Sequence, residues 1–89
     1  MPRSNDLSFW LPSDSGFSSN DFYDIVRSIG GDAVVKVTLI DEFTTGTRTS
    51  HCYSIMYQMF DRPITQADVT DIHSRIAKAS VDTLGVEIR

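Results

Sequence analysis

The apolar residues at the start of the chain alternate with polar ones, which is the pattern of a half-buried β-strand. Residues 6–12 form this predicted strand. Phe9 falls on one face with Leu7, whereas Trp10 falls on the other. If Phe9 joins the core, Trp10 cannot, so we expect Trp10 on the uncovered face of a sheet.

Two later segments have the period of an amphipathic α-helix. The first follows a loop at residues 13–19 and stops at Gly30-Gly31, since left-handed backbone geometry commonly ends a helix. The second starts with a capping box formed by Thr65 and Asp68. The residues expected to cap these helices or to face the core are Ser19 or Asn20, Phe22, Ile25, Val26 and Ile29 in the first, and Val69, Ile72, Ile76, Ala79 or Ser80, Leu84 and the closing Gly85 in the second.

Three further strands are predicted at residues 33–43, 48–60 and 86–88, with residues 44–47 as a hairpin connection. The order is therefore β-α-β-β-α-β. One apolar stripe on each helix and one mainly apolar face on each strand predict a four-stranded antiparallel sheet with both helices on one face. This is the ferredoxin-like α+β sandwich, a fold that many unrelated activities share.

The uncovered face of that sheet carries the clearest binding candidates. Strict alternation places Trp10 beside Thr38 and Ile40 of the second strand, and beside Ser54 and Met56 of the third. An aromatic side chain on such a semi-polar surface can stack on an unpaired base, or it can pack against another protein domain.

Charge and composition narrow the range of ligands and locations that the sequence supports. The 89 residues carry a net charge of −4, which counts against strong phosphate binding by the chain alone. The basic residues placed to meet phosphate are Arg3, Lys36, Arg48 and Arg62. No run reaches the ~20 apolar residues that a membrane span needs, and the first six residues lack the layout of a signal peptide.

The sequence contains no recognisable catalytic or metal-binding pattern. His51 and His73 have no carboxylate at ligand spacing, and the adjacent Cys52 points to the opposite strand face from His51. The single cysteine excludes an internal disulfide. No serine lies in a G-x-S-x-G turn, and no glycine-rich phosphate loop is present. We therefore expect no catalytic residue, metal or cofactor in this domain.

Segments along the whole chain, in matching order, resemble the ferredoxin-fold anticodon-binding domain of phenylalanyl-tRNA synthetases. They are residues 5–12 (NDLSFWLP), 20–27 (NDFYDIVR), 30–32 (GGD), 37–43 (VTLIDEF), 49–53 (TSHCY) and 84–89 (LGVEIR). The first strand and residues 49–53 are more similar to the single-chain mitochondrial and plastid enzymes than to the bacterial β-subunit.

The resemblance implies one domain, residues 1–89, at the C-terminus of a longer synthetase, with tRNA(Phe) and the enzyme's own catalytic domain as partners. Aminoacylation, with ATP and magnesium, is then the task of that other domain, in the mitochondrial matrix or alternatively in a plastid or the bacterial cytoplasm. Neither membrane nor DNA is an expected partner. The expected tRNA-binding residues are Ser8, Trp10, Lys36, Thr38, Ile40, Arg48, Ser54, Met56 and Arg62.

The chain also departs from this family. Members often carry basic or imidazole side chains where it has Ser54, Met56 and Gln58, and many organellar members have lysine where it has Glu42. A less positive face predicts weak tRNA binding by the isolated domain. Two other functions stay open from the residues alone, a protein-interaction domain that uses the uncovered face and a small-molecule regulatory domain of this fold.

Overall fold

Antiparallel strands covered on one face by two helices make up the computed structural model, which describes residues 1–13 and 16–89. In chain order the elements are β1 (Arg3–Trp10), α1 (Ser19–Gly30), β2 (Val34–Thr45), β3 (Arg48–Tyr57), α2 (Gln66–Leu84) and β4 (Glu87–Ile88), with a short 3-10 turn at Gly31–Ala33. The strands lie in the order β2-β3-β1-β4. The predicted ferredoxin-like α+β fold is confirmed. Residues 14 and 15 of the predicted 13–19 loop lie outside the described residues.

The helix ends follow the local chemistry of the sequence. The Thr65 hydroxyl accepts a hydrogen bond from the Asp68 backbone N–H at 3.1 Å, and the Asp68 carboxylate accepts one from the Thr65 N–H at 3.0 Å. The predicted capping box is thus confirmed. Gly85 ends α2 in the left-handed conformation, which favours glycine. The N-cap of α1 is Ser18, so the prediction of Ser19 or Asn20 is wrong by one or two positions.

The core lies between the helices and one face of the sheet. An aromatic group occupies its centre, where the ring of Phe9 lies 5.3 Å from that of Phe22 and 5.7 Å from that of Tyr53. Both helices contribute most of their predicted stripes, although Ile25 of α1 is only half-buried, and Ser80 rather than Ala79 is the buried alternative in α2. The buried apolar residues are Leu7, Phe9, Phe22, Val26, Tyr53, Ile55, Tyr57, Ile64, Val69, Ile72, Ile76 and Val86.

Strand β2 departs from strict alternation at two places. Its pairing with β3 shifts between Val34 and Lys36 and again between Leu39 and Asp41, so one residue at each place has no cross-strand partner. A one-residue shift moves every following side chain to the other face. Val34 therefore lies on the helix side, and beyond the second shift Asp41 lies on the uncovered side.

The strand ends also differ from the predicted ones. β1 begins at Arg3 rather than at residue 6, because its polar first residues pair with the central strand β3 through the backbone. It ends at Trp10, although the Leu11 N–H still donates to the Thr49 carbonyl at 2.8 Å. β3 ends at Tyr57 rather than at residue 60.

Candidate nucleic-acid interface

The uncovered face of the sheet consists of the residues that alternate with the core positions. Residues opposite each other on neighbouring strands share a face, which arranges these side chains in rows. In one row Lys36 lies opposite Met56. In another, Phe43 lies opposite Ser50, which lies opposite Trp10. The two rows are about 20 Å apart, at about 3.3 Å per residue along β3.

A cluster of aromatic and arginine side chains occupies one end of this face, and we call it the Trp10 corner. It consists of Trp10, Phe43, Arg48 and Arg89. The guanidinium carbons of Arg48 and Arg89 lie 4.8 and 4.7 Å from the centre of the Trp10 ring, and the Trp10 and Phe43 rings are 6.4 Å apart. Ring surface and positive charge are the two features that bind single-stranded nucleic acid.

The short strand β4 pairs with the end of β1 and so places Glu87 and Arg89 at this corner. The Arg89 N–H donates to the Ser8 carbonyl at 3.0 Å, and Arg89 Nη1 donates to Ser50 Oγ at 3.1 Å. Glu87 of β4 forms an ion pair with Arg48 at 3.4 Å. Because both of these side chains are exposed, their pairing contributes only about 0–1 kcal/mol and leaves the Arg48 charge available.

The structure gathers only part of the predicted tRNA-binding set at the corner. Trp10 and Arg48 are in contact there, and Ser8 adjoins them through the Arg89 backbone. The other uncovered-face residues lie in rows farther along the sheet: Lys36, Thr38, Ser54 and Met56. The prediction that Thr38, Ile40, Ser54 and Met56 surround Trp10 is wrong. In the β1–β3 register Trp10 lies opposite Ser50, and Ser50 lies opposite Phe43, whereas Ser54 and Met56 lie opposite Asp6 and Ser4. Ile40 has no cross-strand partner and is 52% exposed.

Two basic candidates lie at the opposite end of β3. Arg62 binds both carboxylate oxygens of Asp68, at 2.7 and 3.0 Å, and so supports the capping box of α2. This bond and those from Thr65 hold the pKa of the Asp68 carboxyl well below its usual range. Arg3 donates to the Ile64 carbonyl at 3.2 Å. Both arginines therefore fasten the chain near the start of α2, and neither joins the Trp10 corner.

The two histidines make hydrogen bonds on the helix side of the sheet. His51 Nε2 lies 2.9 Å from the Glu42 carboxylate, a partner that spacing along the chain missed because it comes from the neighbouring strand. His73 Nε2 donates to the Asp6 carbonyl at 3.0 Å, and its Nδ1 lies at hydrogen-bond distance, 2.8 Å, from the Tyr57 hydroxyl. Burial raises the pKa of Tyr57 to about 12.

Sequence reasoning missed Phe43 and Arg89. Phe43 falls on the face of Trp10 only because of the second shift in β2, which no glycine or proline marks. Arg89 belongs to the family-like segment at residues 84–89, but nothing in the local sequence pattern indicates that its charge reaches the uncovered face. Pairing of β4 with Phe9 and Trp10 of β1 is the long-range contact that brings it there.

Within 1–13 and 16–89, no group of three or more His, Cys, Asp and Glu side chains is placed to hold a metal ion. In the same part of the chain, no helix is long and apolar enough to cross a membrane. Cys52 is a half-buried free thiol.

The fold and the open face together define a ferredoxin-like α+β domain that carries aromatic rings and arginines at one end of its sheet. Residues 2–89 match the family model described as "Ferredoxin-fold anticodon binding domain". The chain belongs to this family, as the resemblance predicted.

Several similar proteins are phenylalanine–tRNA ligases. The chain is 52% identical to the probable mitochondrial phenylalanine–tRNA ligase of Drosophila melanogaster and 52% identical to the mitochondrial enzyme of Rattus norvegicus, over 96% of its length in each case. It is 41% identical to the chloroplastic/mitochondrial enzyme of Arabidopsis thaliana over 99% of its length. The chain spans about a fifth of the length of these relatives, at 20%, 18% and 20%.

Proposed function

We propose that this domain binds the anticodon region of tRNA(Phe) and thereby supports aminoacylation by phenylalanine–tRNA ligase. Membership of the anticodon-binding family and the names of the three relatives support this proposal. The observation that carries it is the Trp10 corner, where two arginines and two aromatic rings meet on a sheet face that the helices leave open. Unpaired bases and their phosphates are the ligands that such a surface suits.

The charge of the chain argues that the domain acts as part of a larger enzyme. Its net charge of −4 opposes long-range attraction of RNA, and acidic residues interrupt the open face at Asp6 and Asp41. Tethering to a domain that already holds the tRNA raises the effective concentration of this site without any new contact. We therefore propose the ligase's own catalytic domain as its second partner.

The chemistry of aminoacylation belongs, in this proposal, to that catalytic domain. ATP and magnesium would act there, while this domain contributes only tRNA contacts. We propose a mitochondrial location, in the matrix, because the Drosophila and rat relatives are named mitochondrial. A plastid is the alternative, which the chloroplastic/mitochondrial name of the Arabidopsis relative supports.

Binding of the tRNA(Phe) anticodon stem-loop tests the proposal. Trp10→Ala and Arg48→Ala should each weaken binding by about tenfold or more, since a stacked or charge-assisted contact is worth ~1–3 kcal/mol. The effect should appear both in the 89-residue chain at low salt and in the complete ligase, where affinity is higher. Arg75→Ala is the matched control, because Arg75 pairs with Asp71 on the exposed side of α2. If the complete ligase tolerates both corner substitutions, the assignment is wrong.

A further inference from the structure

Charged side chains lie over the Trp10 ring, where a base would otherwise stack. Two guanidinium carbons lie within 5 Å of its centre, at 4.8 Å for Arg48 and 4.7 Å for Arg89, which is inside the range of a cation–π contact. Phe43 stands beside the same ring and also contacts Arg89, at 5.8 Å. The groups that this corner offers to a ligand are therefore two arginines arranged around an aromatic centre.

Arg89 is the more firmly held of the two. Its backbone N–H is fixed to Ser8, its Nη1 is fixed to the buried Ser50 hydroxyl at 3.1 Å, and both aromatic rings flank its guanidinium. In the described part of the chain, no carboxylate lies within ion-pair distance of Arg89. A guanidinium that is held in place, and that has no acidic partner among residues 1–13 and 16–89, is ready to bind an anion.

Arg48 pairs with the Glu87 carboxylate, and a phosphate can replace this partner. Its ion pair with Glu87 is long, at 3.4 Å, and about half of the Arg48 side chain is exposed. Water and salt weaken such a pair, whereas a phosphate offers the guanidinium two oxygens in a matching plane. Because both arginines contact one ring, a single backbone segment of RNA is able to reach both.

We propose that Arg48 and Arg89 form a paired phosphate-binding site for the RNA backbone, and that Trp10 is a positioning residue that holds the two guanidinium groups. The proposal rests on the proposed function and specifies how the site works. In the alternative suggested by the sequence, Trp10 stacks directly on a base. The two modes differ in salt dependence, since phosphate contacts release counterions and base stacking does not.

The test is the slope of log K against log salt for the 89-residue chain and the anticodon stem-loop. Arg48→Gln and Arg89→Gln should each reduce its magnitude by about 0.7–0.9, the contribution of one phosphate contact. Trp10→Ala should reduce the slope toward that of the Arg48→Gln/Arg89→Gln double variant, whereas Trp10→Phe, which keeps an aromatic face, should retain most of it. Arg75→Gln removes an equal charge elsewhere and should leave the slope unchanged.

A combined variant gives the second readout. Adding Trp10→Ala to the double arginine variant should cause no further loss of affinity, because the groups that Trp10 holds are already gone. A Trp10→Ala variant that binds more weakly with an unchanged slope would overturn the paired site and leave the proposed function standing. Failure of the unchanged chain and of the complete ligase to bind the stem-loop at low salt would overturn both.

Discussion

Phe9 and Trp10 are adjacent in β1 and lie on opposite faces of the same sheet. Phe9 is fully buried, with the rings of Phe22 and Tyr53 against it. Trp10 is half-buried, and its neighbours are the guanidinium groups of Arg48 and Arg89 and the ring of Phe43. Each aromatic ring thus has a different set of neighbours, one apolar and closed, the other cationic and open to a ligand.

The contrast extends to polar groups. On the helix side the hydroxyls of the two buried tyrosines are hydrogen-bonded within the protein, Tyr57 to His73 and Tyr53 to Ser19, both at 2.8 Å. On the open side the arginine donors have capacity left for an outside acceptor. Substitutions on the helix side should therefore lower the stability of the fold, whereas substitutions on the open side should lower the affinity for a ligand.

Among truncations to alanine, Phe9→Ala should have the largest effect on stability. Removing a fully buried phenyl ring leaves a cavity in the aromatic centre, and such changes cost about 3–5 kcal/mol. That is a large share of the ~5–15 kcal/mol that stabilises a typical domain. Urea denaturation followed by far-ultraviolet circular dichroism measures the loss.

Trp10→Ala, the neighbouring substitution, is the matched control for stability. It removes partly exposed surface and two cation–π contacts, so we expect a cost of no more than about 1–2 kcal/mol. Equal losses for the two variants would mean that Trp10 is part of the folding core and that the division between the faces is wrong.

Most of the fold follows from local chemistry that the sequence displays. Alternation in β1 separates Phe9 from Trp10, and the Thr65–Asp68 capping box fixes the start of α2. These signals are short in range, because each depends on residues within a few positions of one another. The element order then leaves few possible topologies.

The candidate site was only partly predictable, because it depends on register. Trp10 lies on the uncovered face and Arg48 at a strand end, as alternation and charge predict, and their binding to tRNA stays a prediction. Phe43 and Arg89 were not predicted to join the site, since one depends on an unmarked shift in β2 and the other on pairing between the two ends of the chain. Arg62 was included for its charge, but its partner Asp68 is the residue that determines its position.

Ionisation of Tyr57 should lower the stability of the domain in alkaline solution, by an amount between the effects of Phe9→Ala and Ser54→Lys. Burial raises its pKa in the folded protein from 10.0 to about 12, so the folded state holds the phenolic proton more tightly than the unfolded state. The stability that this provides is fully present below about pH 10 and is lost as the pH rises toward about 12. The urea midpoint should therefore fall over this interval.

Tyr57→Phe should make that alkaline fall shallower, because it removes the titrating group. The fall should not vanish, since burial raises the pKa of Tyr53 as well. The difference in phenolate absorbance between the unchanged protein and the Tyr57→Phe variant then reports whether Tyr57 ionises before or with unfolding. A Tyr57→Phe variant with an unchanged alkaline profile would show that the buried phenol does not couple folding to pH.

Ser54→Lys should have the smallest effect on stability, although it introduces a charge into the middle of the sheet. Ser54 lies on the open face of β3, opposite Asp6 and Thr38, where the lysine amine can reach water and the Asp6 carboxylate. We expect a change in the free energy of unfolding within about 0.5 kcal/mol.

At the next residue, Ile55→Lys should unfold the domain, because Ile55 is fully buried. A lysine in its place would have to become uncharged, or the core around it would have to open to water. The urea midpoints of the two variants compare the stability cost of the same side chain on the two faces of β3. A Ser54→Lys variant that is as unstable as Ile55→Lys would contradict the division between a folding face and a binding face.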